Sequence, residues 1–374
     1  MRPELMPQSA VMTPHEEQVA TWLLHHMTNT SDYDYELPRE LIAQEPLPNR
    51  GDARLMVVDR RRQEIRHEHV RDLPDFLQST DCLVLNNTKV IPARLVGRRT
   101  ATGGRWQGLF LEADARGVWR VLGKTRGHLQ PGESVTLLDE QAEPVFELRM
   151  VTKLDGGQWA AKPECDGEPL ALLERVGRVP LPQYIRGGEM LPADRQRYQT
   201  VFANVPGSVA APTAGLHFSQ KVLAELDAQQ IARAYVTLHV GIGTFRPIAA
   251  DQIEDHVMHS EYGELSEETV KVLQRVRSTG GRVVAVGTTS MRVLESVTRS
   301  GPLRSWSGAT DLYIRPGFEF RVVDCLMTNF HLPRSSLLVL VRTFGGNELM
   351  RHAYQVAIDE GYRFYSYGDA MLIV

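Results

Sequence analysis

A change of hydrophobic rhythm partway along the chain constrains the fold more than any other feature. From Val205 onward short apolar runs alternate with helix-period stretches: residues 235–239, 282–286 and 337–341 read as strands, and 220–230, 266–279 and 290–298 as helices. Such alternation calls for a sheet layered with helices. Between about Ile91 and Pro169 the pattern differs, with strand-like pieces at 108–112, 117–122, 134–138 and 144–150 separated by Gly, Pro and Asp. That is the texture of a small β-barrel or sandwich. Residues 53–58 and 81–85 are further apolar runs short enough for buried strands, and a helix-like stretch at 170–176 follows the β-rich region. The expectation is an α/β fold: a mixed-sheet α/β catalytic domain (31–90 and 170–374) interrupted by a small inserted β-barrel domain (91–169). A length of 374 residues also favours more than one unit. Residues 1–30, with a short helical pattern at 16–25, read as a dispensable N-terminal extension.

Composition narrows the function classes. With 42% hydrophobic and 24% charged residues the chain can build a core, which excludes wholesale disorder. Its 42 Lys and Arg against 46 Asp and Glu leave a net charge of −4, which argues against coating nucleic acid by bulk charge. Locally the balance is different. Lys89, Arg94, Arg98, Arg99 and Arg105 occur without an intervening acid, as do Arg116, Arg120, Lys124 and Arg126. This is either a phosphate-backbone footprint or a solvated strand face. Cys82, Cys165 and Cys325 are odd in number and widely spaced, which fits reducing cytoplasm. No apolar run reaches membrane-helix length; 337–341, read as a buried strand, is stopped by Arg342. The N-terminus has neither a secretory nor a transit pattern, so a cytoplasmic location is expected.

Four segments carry chemistry. Residues 282–295 read as strand, hydroxyl-rich turn and helix start, where Thr288, Thr289 and Ser290 offer groups to an anion or ribose, or simply cap the helix. His239-Val240-Gly241-Ile242-Gly243-Thr244-Phe245 lacks the third glycine of a dinucleotide loop and runs into Arg246-Pro247, although its glycines still permit close ligand approach. Asp255, His256, His259 and Glu261 crowd into seven residues without an HExxH pattern or a cysteine, which suits acid–base work or hydrogen bonding better than zinc; a structural polar loop is the competing reading. In 209–218, small residues precede His217 and Phe218, a close-packed loop that could present one ring nitrogen and one aromatic face to a purine, or simply hold a satisfied core histidine.

Together these segments are more specific than any alone. Gly207-Ser208-Val209-Ala210-Ala211-Pro212-Thr213-Ala214-Gly215-Leu216-His217-Phe218, the 236–245 run, His256-Val257-Met258-His259-Ser260-Glu261, Val286-Gly287-Thr288-Thr289-Ser290, Thr328-Asn329-Phe330-His331-Leu332-Pro333 and Tyr365-Ser366-Tyr367-Gly368-Asp369-Ala370-Met371 follow one another in a familiar order. With Asn86-Asn87-Thr88-Lys89 and the residues through Leu95, they resemble the S-adenosylmethionine:tRNA ribosyltransferase-isomerase family of queuosine biosynthesis. The likeness spans about Tyr33 to Met371. It departs at Gly103-Gly104-Arg105-Trp106-Gln107, where the family usually has a basic residue and a glutamate after the glycine pair.

The resemblance implies an α/β domain interrupted by a small β-barrel, and transfer with isomerisation of the ribosyl group of S-adenosylmethionine onto 7-aminomethyl-7-deazaguanine at the tRNA wobble position. Epoxyqueuosine-tRNA, adenine and methionine would be the products. S-adenosylmethionine is then a consumed substrate, with no cofactor, metal or nicotinamide, and the expected partners are that tRNA and S-adenosylmethionine, with no membrane and a monomeric state. Acid–base work is expected among His217, His239, His256, His259 and His331, with Asp255, Glu261 and Asp369 orienting or protonating. At least one of His217, His256 and His331 is expected to titrate near neutrality and move a proton. Thr288, Thr289, Ser290 and Arg292 would hold ribose or the methionyl carboxylate. Asn86, Asn87, Thr88, Lys89 and Arg94 would meet tRNA near the target base, with Arg98 and Arg99 on its phosphates. Thr213, Gly215, Phe218, Gly241, Gly243, Thr244 and Asn329 complete the expected substrate-binding set. An S-adenosylmethionine-dependent RNA methyltransferase and a non-catalytic tRNA-binding protein are the alternatives.

Overall fold

Apolar runs with few polar breaks form the middle of a nine-stranded sheet. The computed structural model describes residues 28–241, 243, 247–299 and 301–374; the helical pattern at 16–25 and Thr244 lie outside them. The strands are β1 (Arg54–Asp59), β2 (Glu64–His69), β3 (Cys82–Asn86), β4 (Thr88–Val90), β5 (Arg94–Arg99), β6 (Arg105–Ala113), β7 (Trp119–Thr125), β8 (Ser134–Leu138), β9 (Pro144–Lys153), β10 (Gln158–Pro163), β11 (Gly177–Arg178), β12 (Val205–Ser208), β13 (Ala232–Leu238), β14 (Glu261–Leu265), β15 (Val283–Val286), β16 (Trp306–Thr310), β17 (Cys325–Asn329) and β18 (Ala370–Ile373). Among the described residues the α-helices of eight or more residues are α1 (Pro169–Val176), α2 (Gln220–Ala228), α3 (Glu267–Ser278), α4 (Thr288–Thr298), α5 (Ser336–Gly345) and α6 (Asn347–Asp359).

The large sheet runs β16-β14-β13-β3-β15-β17-β18-β1-β2. Its centre, β13-β3-β15-β17, is parallel, whereas β14, β16 and β2 pair antiparallel with their neighbours and β18 lies antiparallel to β17 but parallel to β1. Alternate side chains serve opposite cores. Leu83, Leu85, Val284, Val286 and Met327 meet Val222, Leu223 and Leu226 of α2 on one face. Cys82, Val84, Val283, Ala285 and Leu326 meet the apolar sides of α3 to α6 on the other. Burial on both faces is why these strands read as near-continuous apolar runs.

One such run misleads. Residues 337–341, expected as a strand, lie in helix α5, whose N-cap Ser335 accepts the Leu338 amide at 3.2 Å. Leu337 to Val341 are all buried there, and a short wholly apolar run has no period to separate a buried helix from a buried strand. The neighbouring strands are β17 and β18.

The inserted strands close on themselves in the order β5-β6-β7-β10-β9-β8, with β8 returning to β5. Closure leaves no free edge and encloses a core that includes Trp106, Trp119 and Trp159. Gly108 makes room for the Trp106 ring: a Cβ there would lie 2.1 Å from it. Leu172, Leu173 and Val176 of α1 join this core, and β11 pairs with β5, so the barrel's packing extends past Pro169 to about Arg178.

From β3 the chain passes through the barrel and α2 to β13 on one side, then by α3 to β15 on the other. The two connections lie on opposite faces of the sheet, which opens a crevice at the carboxyl ends of β3 and β15.

Candidate active site

The main cleft occupies that crevice. Gly287, Thr288 and Thr289 follow β15, Thr328 to Leu332 end and extend β17, and Val240 follows β13; with Thr213, Tyr184 and Tyr365 among the other walls they border about 620 Å³. Its hydroxyls, amide and paired tyrosines suit a small polar ligand. Gly287 turns the chain with φ of 90°, a conformation that favours glycine, and so brings Thr288 and Thr289 to the mouth of β15.

Two buried atoms of the lining, Thr289 Oγ1 and Asn329 Oδ1, have no hydrogen-bond partner among the described residues. An unsatisfied buried polar group costs about 1–3 kcal/mol, so such groups in a cleft point to a ligand that satisfies them. The Asn329 amide nitrogen is already committed, donating to Tyr365 O at 3.1 Å and to His217 Nε2 at 3.0 Å. Tyr184 and Tyr365 stand with ring centroids 4.7 Å apart, and Tyr184 Oη and Ser366 Oγ share a 2.6 Å hydrogen bond.

Of the five expected histidines, His331 lines this cleft and His217 sits directly behind it. His331 Nε2 and Thr328 Oγ1 are 2.8 Å apart, and the His331 amide donates to Tyr354 Oη at 3.0 Å. Neither ring titrates near neutrality. Burial pushes His331 down to about 3, while burial, reinforced by the Arg50 and Arg363 charges, pushes His217 down to about 4. Both are neutral hydrogen-bonding groups at physiological pH, which corrects the expectation of a near-neutral proton carrier at these two positions.

Other expected residues are placed differently. His239 shares a 2.8 Å hydrogen bond with Thr88 Oγ1 and packs over Gly207, where a Cβ would meet its ring at 2.8 Å. His256 is half-buried edge-on to Tyr313, and burial lowers its pKa; Asp255 and His259 are exposed, with Gly243 against the His259 ring. Among the described residues no three His, Cys, Asp or Glu side chains are grouped to hold a metal. Glu261 is buried in an ion pair with Arg292 and accepts the Gly241 amide at 2.9 Å, while Arg292 also donates to Leu312 O. Arg292 is therefore committed to a protein carboxylate rather than offered to a methionyl one. Ser290 Oγ returns to Val286 O at 2.9 Å, the back-bond of a helix start. Asp369 accepts the Arg54 and Arg363 amides at 2.9 and 2.8 Å, a brace between β1 and the loop before β18.

Phe218 offers no face to a purine. It is fully buried with Phe202 beneath the sheet, and Gly215 packs tightly against Thr200 and Phe202. Asn86 bonds the backbone of Leu238 and Thr88, and Asn87 accepts from Thr237 Oγ1 at 2.7 Å. These side chains lock the ends of β3 and β13 together.

A second hollow of about 1450 Å³ adjoins the cleft at Tyr184 and runs along the barrel past Arg94, Gln107, Lys124 and Gly241. Of the expected phosphate contacts, Arg94 faces this groove and Arg98 is exposed, whereas Arg99 is paired with Glu133 at 2.6 Å. Lys89 is exposed on β4. The departure at 106–107 divides by strand alternation: Trp106 fills the barrel core and Gln107 borders the groove. Sequence reading passed over Tyr184, whose loop has no periodic signal; Tyr365 and Ser366 stood inside a quoted motif without a role.

The fold and cleft define a class: an α/β protein with a polar cleft at the carboxyl edge of its sheet, beside an inserted barrel with a basic groove. The chain belongs to the queuosine biosynthesis protein family, which it matches over residues 30–373. It is 44% identical over 345 residues to the S-adenosylmethionine:tRNA ribosyltransferase-isomerase of Caldanaerobacter subterraneus subsp. tengcongensis, covering 92% of this chain and 99% of that one. It is also similar to the crystal structure of the S-adenosylmethionine tRNA ribosyltransferase of Thermotoga maritima, with 35% identity, a TM-score of 0.53, and coverage of 92% of this chain and 100% of that one.

Proposed function

We propose that this protein transfers and isomerises the ribosyl moiety of S-adenosylmethionine onto 7-aminomethyl-7-deazaguanine at the tRNA wobble position, releasing adenine and methionine. The observation that carries the reading is the junction at Tyr184, where a cleft with two unpartnered buried acceptors meets a groove bearing Arg94 and Lys124. One cavity suits a nucleoside, and the other suits a polynucleotide backbone.

In this reading S-adenosylmethionine is consumed as a substrate and the reaction uses no cofactor. Its sulfonium acidifies the adjacent ribose 5′ C–H, so a positioned base can remove that proton to give an ylide, while the 7-aminomethyl nitrogen of the modified base is the nucleophile that takes the ribosyl group. Thr288, Thr289 and Asn329 hold the nucleoside, with Thr289 Oγ1 and Asn329 Oδ1 gaining partners on binding. Thr213 and Tyr365 wall the pocket. His331, a neutral ring in the cleft wall, is the histidine best placed to hydrogen-bond the substrate and orient it. Adenine leaves with proton assistance. The protein acts in the cytoplasm as a monomer; among the described residues no helix is long and apolar enough to cross a membrane.

The test is product analysis with S-adenosylmethionine and tRNA carrying the 7-aminomethyl base. Adenine and methionine released in step with modified tRNA are expected. S-adenosylhomocysteine instead would mean methyl transfer, and no turnover with retained tRNA binding would mean a binding protein.

A further inference from the structure

Behind His217 lies a third hollow, of about 320 Å³, lined by Pro46, Leu47, Arg50, Arg197, His217 and Ser366 among others. Ser366 also lines the main cleft, and its hydroxyl is bonded to Tyr184, which borders the barrel groove. The three cavities therefore run in sequence: barrel groove, cleft, arginine pocket.

The charge of this pocket is unbalanced. Arg50 Nη2 donates to the carbonyls of Gln196, Arg197 and Gln199 at 3.2, 3.4 and 2.8 Å. Arg197 donates to the carbonyls of Pro48 and Leu47, and Arg363, close enough to depress the His217 pKa, donates to that of Glu45. Every one of these partners is neutral. Arg50 Nη1 and Arg363 Nη1 are buried and have no hydrogen-bond partner among the described residues. Among the described residues no carboxylate lines the pocket, and the nearby Asp369, which feels the Arg363 charge, accepts the amides of Arg54 and Arg363 rather than a guanidinium. A zwitterionic amino acid would need an acceptor for its ammonium group; a plain oxyanion needs only donors, and guanidinium is well matched to one.

We propose that the pocket lined by Arg50 and Arg197, with Arg363 close beside it, binds a backbone phosphodiester of the tRNA adjacent to the nucleotide that enters the cleft. The inference rests on the tRNA reading above and adds the path of the strand. With the target base in the central cleft, the backbone on one side follows the barrel groove past Arg94 and Lys124, and on the other side it is held behind His217. Arginines on both flanks fix the depth to which the base enters.

The experiment uses the full chain and an anticodon stem-loop RNA, with affinity measured over a salt series. Arg363→Gln should weaken binding about tenfold and lower the slope of log Kd against log salt by about 1, while Arg363→Lys keeps most of the slope. Arg197→Gln carries the same test if Arg363→Gln does not fold. S-adenosylmethionine affinity, measured by calorimetry, should be unchanged in each. A second readout is the His217 imidazole, whose pKa should rise from about 4 when RNA binds, which a merely structural arginine would not cause. Wild-type protein that binds the stem-loop, with variants of unchanged affinity and slope, overturns the inference alone. Lost S-adenosylmethionine affinity with intact RNA binding overturns it too, by assigning the pocket to the methionyl carboxylate. Wild-type protein that fails to bind the RNA overturns the tRNA reading and this inference together.

Discussion

The cleft and the barrel handle polar groups in opposite ways. In the cleft they are buried and few, and each is held by a strand end: Asn329 closes β17, and Thr288 and Thr289 open α4. In the barrel the interior is apolar and the charge lies outside, with Arg105, Lys124 and Arg126 exposed. A rigid, desolvated cleft can hold reacting atoms in register, whereas exposed cations on a closed barrel attract a backbone without needing exact placement. Each module is suited to one half of a reaction between a small nucleoside and a large RNA.

The contrast can be tested, beginning with the change expected to matter most. Arg292→Leu should destabilise the protein by about 3–5 kcal/mol in urea unfolding, because it takes the guanidinium away from the buried Glu261 carboxylate. Pairing it with Glu261→Gln should recover part of that loss. A variant of normal stability with weakened S-adenosylmethionine binding would instead return Arg292 to the ligand.

Next, His331→Ala should lower single-turnover adenine release about 100-fold while both substrates still bind. His256→Ala, at a half-buried ring outside the cleft lining, should remain near wild type. Equal losses in both would erase the distinction drawn here between the cleft and the 255–261 loop.

The buried imidazoles also predict an acid limb in stability. His217 and His331 have folded-state pKa values of about 4 and about 3, below the unfolded value of 6.5, so protonation favours the unfolded chain. Their contribution is complete above pH of about 6.5 and is lost as pH falls toward about 3, by on the order of 3 kcal/mol each. His217→Gln should reduce the proton dependence of the urea midpoint in that window; an unchanged dependence would mean the ring is solvated.

On the barrel, Arg94→Gln should lower the salt slope of tRNA binding by about 1, whereas Arg99→Gln should leave it nearly unchanged, because Arg99 is paired with Glu133. Equal slopes for both would return the groove to a solvated face. The smallest effect expected is that of removing residues 1–27, with melting temperature and turnover close to those of the full chain. Cutting through Thr30 should cost about 1 kcal/mol, since its buried hydroxyl donates to Ala250 O at 2.7 Å.

How much of this was legible beforehand follows from range. The alternation along 232–298 reflects contacts within one strand or one helix, so β13, α3, β15 and α4 were readable to within a few residues. The barrel was readable from its turn spacing. Residues 337–341 were not, because an element buried on all sides has no polar face to reveal its period. At the site, Thr288, Thr289, Asn329 and His331, named from short motifs at strand ends, line the cleft. Phe218 and Arg292 were assigned to substrate, but their side chains meet protein partners distant in sequence, which no local pattern records.

The order of elements, the inserted β region and the polar strand ends were written into the chain itself, because each depends on which neighbours a residue has along the backbone. Family membership was legible for the same reason, through motifs of up to a dozen residues. Only the tertiary structure decided which polar groups stay free. Arg50 and Arg363, 313 positions apart in the numbering, share the surroundings of His217, and among the described residues no carboxylate hydrogen-bonds either guanidinium. Glu261 and Arg292 neutralise each other instead. Whether a charge is a binding group or a brace depends on what lies within a few ångströms of it, and that distance is set by the closing of the sheet, not by sequence neighbours.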